Sequence, residues 1–181
     1  MAEISGLIQQ VSTARSSLLQ QVQGLSEGQA AFKPNQDSWS INEVLEHLVL
    51  AECSGVTKIW AAANGARSGN PVWTGKHTNS GLGIDAVVAR TWKEREAAPS
   101  IATPHIGGPL AYWVESFKLA QSLLQALGNA LEGLDLETII YPHFLSGPLD
   151  ANQRIDFLRF HIDRHGGQIN RIKNLADFPV A

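Results

Sequence analysis

In the segment FLRFHIDRHGGQINRIK (157–173) two histidines, His161 and His165, stand four apart, and two glycines follow at once. In a helix that spacing puts both imidazoles on one face about one pitch apart, which suits two ligands of one tetrahedral or five-coordinate ion. The pair alone is a weak signal, because a chain with six histidines can produce it by chance. A third histidine strengthens it. His47, in SWSINEVLEHLVLAE, lies one turn after Val44 and one turn before Ala51, on the flank of an apolar stripe. Helical bundles build metal sites in this way, from side chains on facing helices. Three neutral imidazoles and an open position describe a catalytic site rather than a closed structural one. On the residues alone, the alternative is a set of hydrogen-bonded core histidines.

Gly166 and Gly167 each cost about 1 kcal/mol against Ala inside a helix. Their presence beside His165 points to a neighbouring helix or a ligand that approaches the backbone, or else to a loosened surface turn. The remaining histidines, His77, His105 and His143, fall in loop segments and read as surface residues, with His77 and His143 within reach of a pocket mouth. Cys53 lies on a different side of its helix from His47 and reads as a small buried thiol rather than a fourth ligand. Trp39 reads as packing at the bundle end beside a helix start. Trp60, Trp92 and Trp113 are core candidates, and Trp73 could line a pocket. Glu43 and Glu46 precede His47, and Glu43 is explained by capping. Asp163 points away from the histidine face.

The elements that must carry these residues are helical almost throughout. Ile4, Leu7, Ile8, Val11, Leu18, Val22 and Leu25 recur at threes and fours, the pattern of an amphipathic helix. After the loop AAFKPNQDSW, Ser40 and Glu43 form a capping box that opens a helix with Ile41, Val44, Leu45, Leu48, Ala51 and Ile59 inward. Residues 64–83 form a long irregular stretch, which in a small domain is either functional or mobile. A shorter helix is expected over 84–97. Pro109 fits the first turn of another, with Leu110, Trp113, Val114, Phe117, Leu124, Leu127 and Leu131 as its stripe. Residues 137–150 read as a connection with a brief extended piece. Asp150 and Gln153 then open the last helix, which runs to about Leu175 with Ile155, Leu158, Ile162, Ile169 and Ile172 inward. Four long amphipathic helices joined by loops long enough for crossovers imply an all-α antiparallel bundle, one domain over 1–181.

The bulk numbers restrict the function classes. The chain has 181 residues, 44% of them hydrophobic and 17% charged, with a net charge of −3. No cluster of Lys or Arg marks one face, which argues against nucleic acid as a partner. No run of apolar residues is long enough to span a membrane, and the N-terminus lacks a signal-peptide pattern. With a single cysteine, no intrachain disulfide or multi-cysteine zinc cluster can form, and the expected setting is cytoplasmic.

SWSINEVLEHL (38–48) and HIDRHGGQI (161–169) resemble the two signature segments of the DinB/YfiT-like superfamily. ETIIYPHFLSGPLDANQRIDFLRFH looks like the stretch leading into that family's last helix, so the similarity covers essentially the whole chain. The resemblance implies a four-helix bundle of up-up-down-down type, often dimeric, holding a divalent ion on His47, His161 and His165. It implies that Gly167, Gln168 and Ile169 match the Gly-Gln-Ile that commonly follows, and it leaves Gly166 unexplained. It further implies a metal-dependent enzyme, of S-transferase or hydrolase type, in which zinc or nickel activates a low-molecular-weight thiol or water for a small-molecule substrate. A homodimer is expected. The competing expectation is a non-catalytic metal- or ligand-binding bundle that acts through dimerisation.

Overall fold

Three helix starts in this chain are closed by capping boxes. In the computed structural model, which describes residues 4–92 and 96–180, Ser26, Ser40 and Asp150 each accept the backbone N–H three residues on, while Gln29, Glu43 and Gln153 reach back to the cap. Each such box satisfies two donors that a helix end leaves orphaned. Between these starts lie α1 (Ile4–Val22), α2 (Glu27–Ala31), α3 (Ile41–Arg67), α4 (Ile84–Thr91), a single 3-10 turn (Ser100–Ala102), α5 (Leu110–Leu131) and α6 (Ala151–Lys173). The extended piece expected in 137–150 is an antiparallel hairpin, β1 (Ile140–His143) with β2 (Gly147–Asp150), in which Ile140 pairs with Asp150. Among the described residues the regular structure is thus helical apart from this small hairpin.

Two expectations need correction. The helix expected over 84–97 stops at Thr91, and Trp92 turns to an extended conformation; residues 93–95 lie outside the described residues. The helix directions also differ from up-up-down-down. α1 and α6 run parallel, because Ile4 and Asn152 border one cavity while Lys173 donates to the Gln21 carbonyl at the other end. α5 opposes α1, with Gly128 against Ile8 and Phe117 level with Arg15. α3 opposes α6, since His47 meets His161 and Gly55 meets Leu158. α3 and α5 run parallel, tied by Asn42 to Gly108 and by Arg67 to Ala130. The order is up, down, down, up. Segments 23–40 and 132–150 return the chain at the end where it left, and only 68–109 travels back along the bundle.

The stripes read from the sequence meet as one core. Leu18, Ile41, Leu45, Phe117, Leu124, Ile155 and Ile169 are all fully or almost fully buried, each worth about 1.5–3 kcal/mol in transferred apolar surface. The irregular stretch expected over 64–83 begins only at Ser68, because α3 runs on to Arg67, and it is tethered rather than loose. Asn79 donates to the carbonyls of Ser146 and Pro148, both at 2.8 Å, and Gln153 holds the carbonyls of Asn79 and Leu82. Ile84, Val87 and Val88 of α4 then pack with Leu149 and Phe157 in a second cluster.

Across the main core runs a buried ion pair that apolar spacing does not reveal. Arg15 of α1 grips Glu52 of α3 with two bonds of 2.8 and 2.6 Å, donates to the Phe117 carbonyl at 3.0 Å and reaches Gln121 at 3.2 Å. One guanidinium therefore locks three helices. Removing one member leaves a buried charge, so Arg15→Met should cost about 3–5 kcal/mol in urea denaturation. The double variant Arg15→Met/Glu52→Leu should recover most of that loss. A double variant as unstable as the single would contradict this account of the core.

Candidate metal centre

The capping box at Ser40 fixes the start of α3 and so sets where His47 projects; the box at Asp150 does the same for His161 and His165. All three imidazoles are buried. His161 Nε2 lies 3.1 Å from His47 Nε2 and 3.2 Å from His165 Nε2. The i, i+4 pair and the residue from the facing helix therefore converge on one point, and the three side chains form a group able to hold a metal ion.

The outer ring nitrogens decide the tautomers. His47 Nδ1 lies 2.7 Å from the Ala102 carbonyl, and His165 Nδ1 lies 2.8 Å from Gln168 Oε1. Both partners are acceptors, so both Nδ1 atoms carry the proton and both Nε2 atoms turn a lone pair inward. A neutral His161 can donate through Nε2 to one of them at most. At least one close nitrogen pair is then lone pair against lone pair, a repulsion that a cation removes. Tetrahedral coordination at about 2.0–2.1 Å places ligand nitrogens about 3.3 Å apart, close to the spacing of the two pairs that share His161. The residues fit an ion.

Burial lowers the pKa of each ring. It holds His47 below its ordinary value against the opposing Ala102 bond, and takes His165 to about 3 with help from His47. For His161, burial followed by the neighbouring imidazoles pushes it well below the ordinary range. Neutral rings at pH 7 offer lone pairs without proton competition.

Glu46 positions the shell around His47, a role its sequence context did not disclose. Its buried carboxylate accepts the backbone N–H groups of His105, Ile106 and Gly107 at 2.5, 2.6 and 3.1 Å. That clamps the loop following Ala102, whose carbonyl orients His47. Trp39 packs against the core beside the start of α3, as expected, and it also meets the triad: its ring lies 4.8 Å from that of His47 and stacks at 6.4 Å on His165. Both Trp39 and Trp92 border a cavity of ≈ 980 Å³ into which the triad faces, a size suited to a small molecule.

Not every candidate joins the site. His143 is not a surface residue: strand β1 buries it in the cavity wall, between Phe144 and Phe157 rings each 4.6 Å away. Its Nδ1 faces the N–H groups of Leu145 and Ser146, which leaves the proton on Nε2. His77 is half-buried against Gln153, and His105 is exposed. Cys53 is half-buried and outside the triad, its thiol pushed up by burial and then by Glu52. Asp163 bonds Arg159 at the surface. Trp113 is core, whereas Trp60 is exposed and Trp73 does not border the large cavity.

The glycines separate into two cases. A Cβ on Gly166 would meet the Gln21 side chain of α1 at 3.2 Å, tighter than normal packing; one on Gly167 would meet only Arg171 at an ordinary 3.6 Å. The Gln21 amide that lies over Gly166 is the one tight contact found at the glycine that the resemblance leaves unexplained.

The family profile described as the DinB superfamily matches residues 10–169, and the chain belongs to that superfamily. No curated protein and no solved structure matches it.

Calorimetric titration of metal-free protein with zinc should reveal one ion per chain. Replacing the outer partner in Gln168→Leu should weaken it by about 10–100-fold, and His161→Ala should abolish it. Wild-type affinity in both variants would remove the triad as the holder. For the metal-free protein a pH trend follows from His143 and His165, both lowered to about 3, against about 6.5 when unfolded. Between those values the unfolded chain binds more protons, so this stability is full above about pH 6.5 and drains as the pH falls toward 3. The urea midpoint should decline below pH 6.5; a midpoint flat from pH 7 to 4 would contradict burial of neutral rings.

Proposed function

We propose, with membership of the DinB superfamily as the premise, that this chain is a metal-dependent enzyme acting on a small molecule in the cavity beside His47, His161 and His165. The observation that carries the reading is the convergence of three inward-facing Nε2 atoms at the wall of a ≈ 980 Å³ space. Zinc and nickel are the proposed ions, since borderline metals favour imidazole. When bound, such an ion supplies Lewis acidity that lowers the pKa of water toward about 7 and stabilises a thiolate.

The chain's own residues supply position and environment. Ala102 and Gln168 hold two imidazoles in the ligating tautomer, and Glu46 fixes the loop behind the first. Trp39, Trp92 and Phe157 place aromatic surface around the triad. Cys53 stands apart as the sole cysteine, so a thiol reaction draws its sulfur from a separate low-molecular-weight thiol. We therefore propose an S-transferase or hydrolase type of reaction. A homodimer belongs to the same proposal: α5 exposes Tyr112, Leu119 and Leu123 along one side. The setting we propose is cytoplasmic, and no helix among the described residues is long and apolar enough to cross a membrane.

Zinc- or nickel-loaded protein should consume low-molecular-weight thiols in the presence of alkyl halides, or hydrolyse activated esters. Rates should fall at least about a thousandfold in His161→Ala, as expected when a Lewis acid is lost. If metal removal lowers the Tm but neither reaction ever exceeds background, the non-catalytic bundle is the correct reading.

A further inference from the structure

Arg154, in the first turn of α6, is only 8% exposed, and its Nη1 is sealed from solvent with no acceptor. No ion pair among the described residues engages it. The adjacent carboxylate, Asp150, is committed to the N–H of Gln153. The guanidinium carbon lies 5.6 Å from the centre of the Tyr141 ring, and Lys58 Nζ lies 5.8 Å from the same ring. Lys58 likewise has no ion pair among the described residues. A neutral imidazole completes the group: His143 is held at about 3 by burial and then by the charges of Arg154 and Lys58. Two cations, a phenol and a neutral ring thus gather, and no ion pair among the described residues engages either cation, although Glu96 borders the same cavity.

A buried guanidinium without a counter-charge is costly. The arrangement makes sense where a ligand brings the missing charge, because all four side chains border the same cavity as the histidine triad. Arg154 and His161 are seven residues apart on α6, hence on one face and about 10 Å apart along the axis. That span fits the two ends of one small molecule.

We propose that Arg154 and Lys58 form a subsite for a carboxylate on the small molecule that occupies this cavity, with the opposite end of that molecule at the histidine triad. A guanidinium fork matches a planar carboxylate. A phosphate group would gain most from free helix N-terminal amides, and those of α6 are already capped by Asp150. The proposal rests on the cavity being the substrate site, yet its test needs no turnover, so it can fail separately from the catalytic reading.

Calorimetry on the whole chain, metal-free and zinc-loaded, with phenylbutyrate, phenylbutyramide and phenyl phosphate as probes, tests it. The carboxylate should bind both forms, at least about tenfold more tightly than the neutral amide. Arg154→Met should remove that preference, and Lys58→Met should reduce it while leaving the fold intact. The Tm of Arg154→Met should equal or exceed the wild-type value, since a purely structural arginine would instead lower it. Carboxylate binding that survives both substitutions, that requires zinc, that is matched by the amide or that is surpassed by phenyl phosphate overturns the assignment.

Discussion

In a buried place the Nε2 of His161 lies within hydrogen-bond distance of the Nε2 atoms of both His47 and His165, whose lone pairs are turned inward. That constraint organises the rest of the structure. Neutral rings at 3.1 and 3.2 Å cannot satisfy one another fully, because a single N–H serves two acceptors. Their outer nitrogens are held by Ala102 and Gln168, so rotation to a different tautomer would sacrifice a good bond. The three side chains thus form a group able to hold a metal ion, with lone pairs already turned inward.

Holding that group in place requires rigid neighbours. α3 and α6 bring the ligands together from opposing helices, and the Arg15–Glu52 pair fixes α3 against α1 and α5. Glu46 extends this rigidity into the 102–107 loop through three backbone amides. Next to His165, Gly166 leaves room for the Gln21 amide of α1. On the open side the support ends, and aromatic rings, together with Arg154 and Lys58, line a space of small-molecule size. The polarity of the site is therefore uneven: neutral imidazoles at the triad, and positive charge near the start of α6.

Much of this was legible in the sequence because it is local. Helix starts follow from capping residues three apart, inward faces from apolar spacing, and the His161–His165 pair from the helical pitch. His47 could be added only through its position on a stripe and a family resemblance, since nothing local states that α3 faces α6. What escaped depends on contacts between distant segments. Arg15 and Glu52 are separated by 37 residues, and each looks like a solvated charge on its own helix. Glu46 meets a loop 59 residues later. His143 looked like a loop residue because a four-residue strand leaves little periodicity, and its burial comes from Trp92 and Phe157 on other elements. Helix direction escaped for a similar reason: amphipathic stripes fix which face turns inward, not which way the chain travels.

The most direct measurement of the central claim is long-range proton–nitrogen NMR of the imidazoles, in metal-free protein and after one equivalent of zinc. The account predicts Nδ1–H tautomers for His47 and His165 before zinc, and a concerted shift of the Nε2 signals of His47, His161 and His165 on its addition. Nε2–H tautomers in the outer two rings, or Nε2 signals indifferent to zinc, would contradict it.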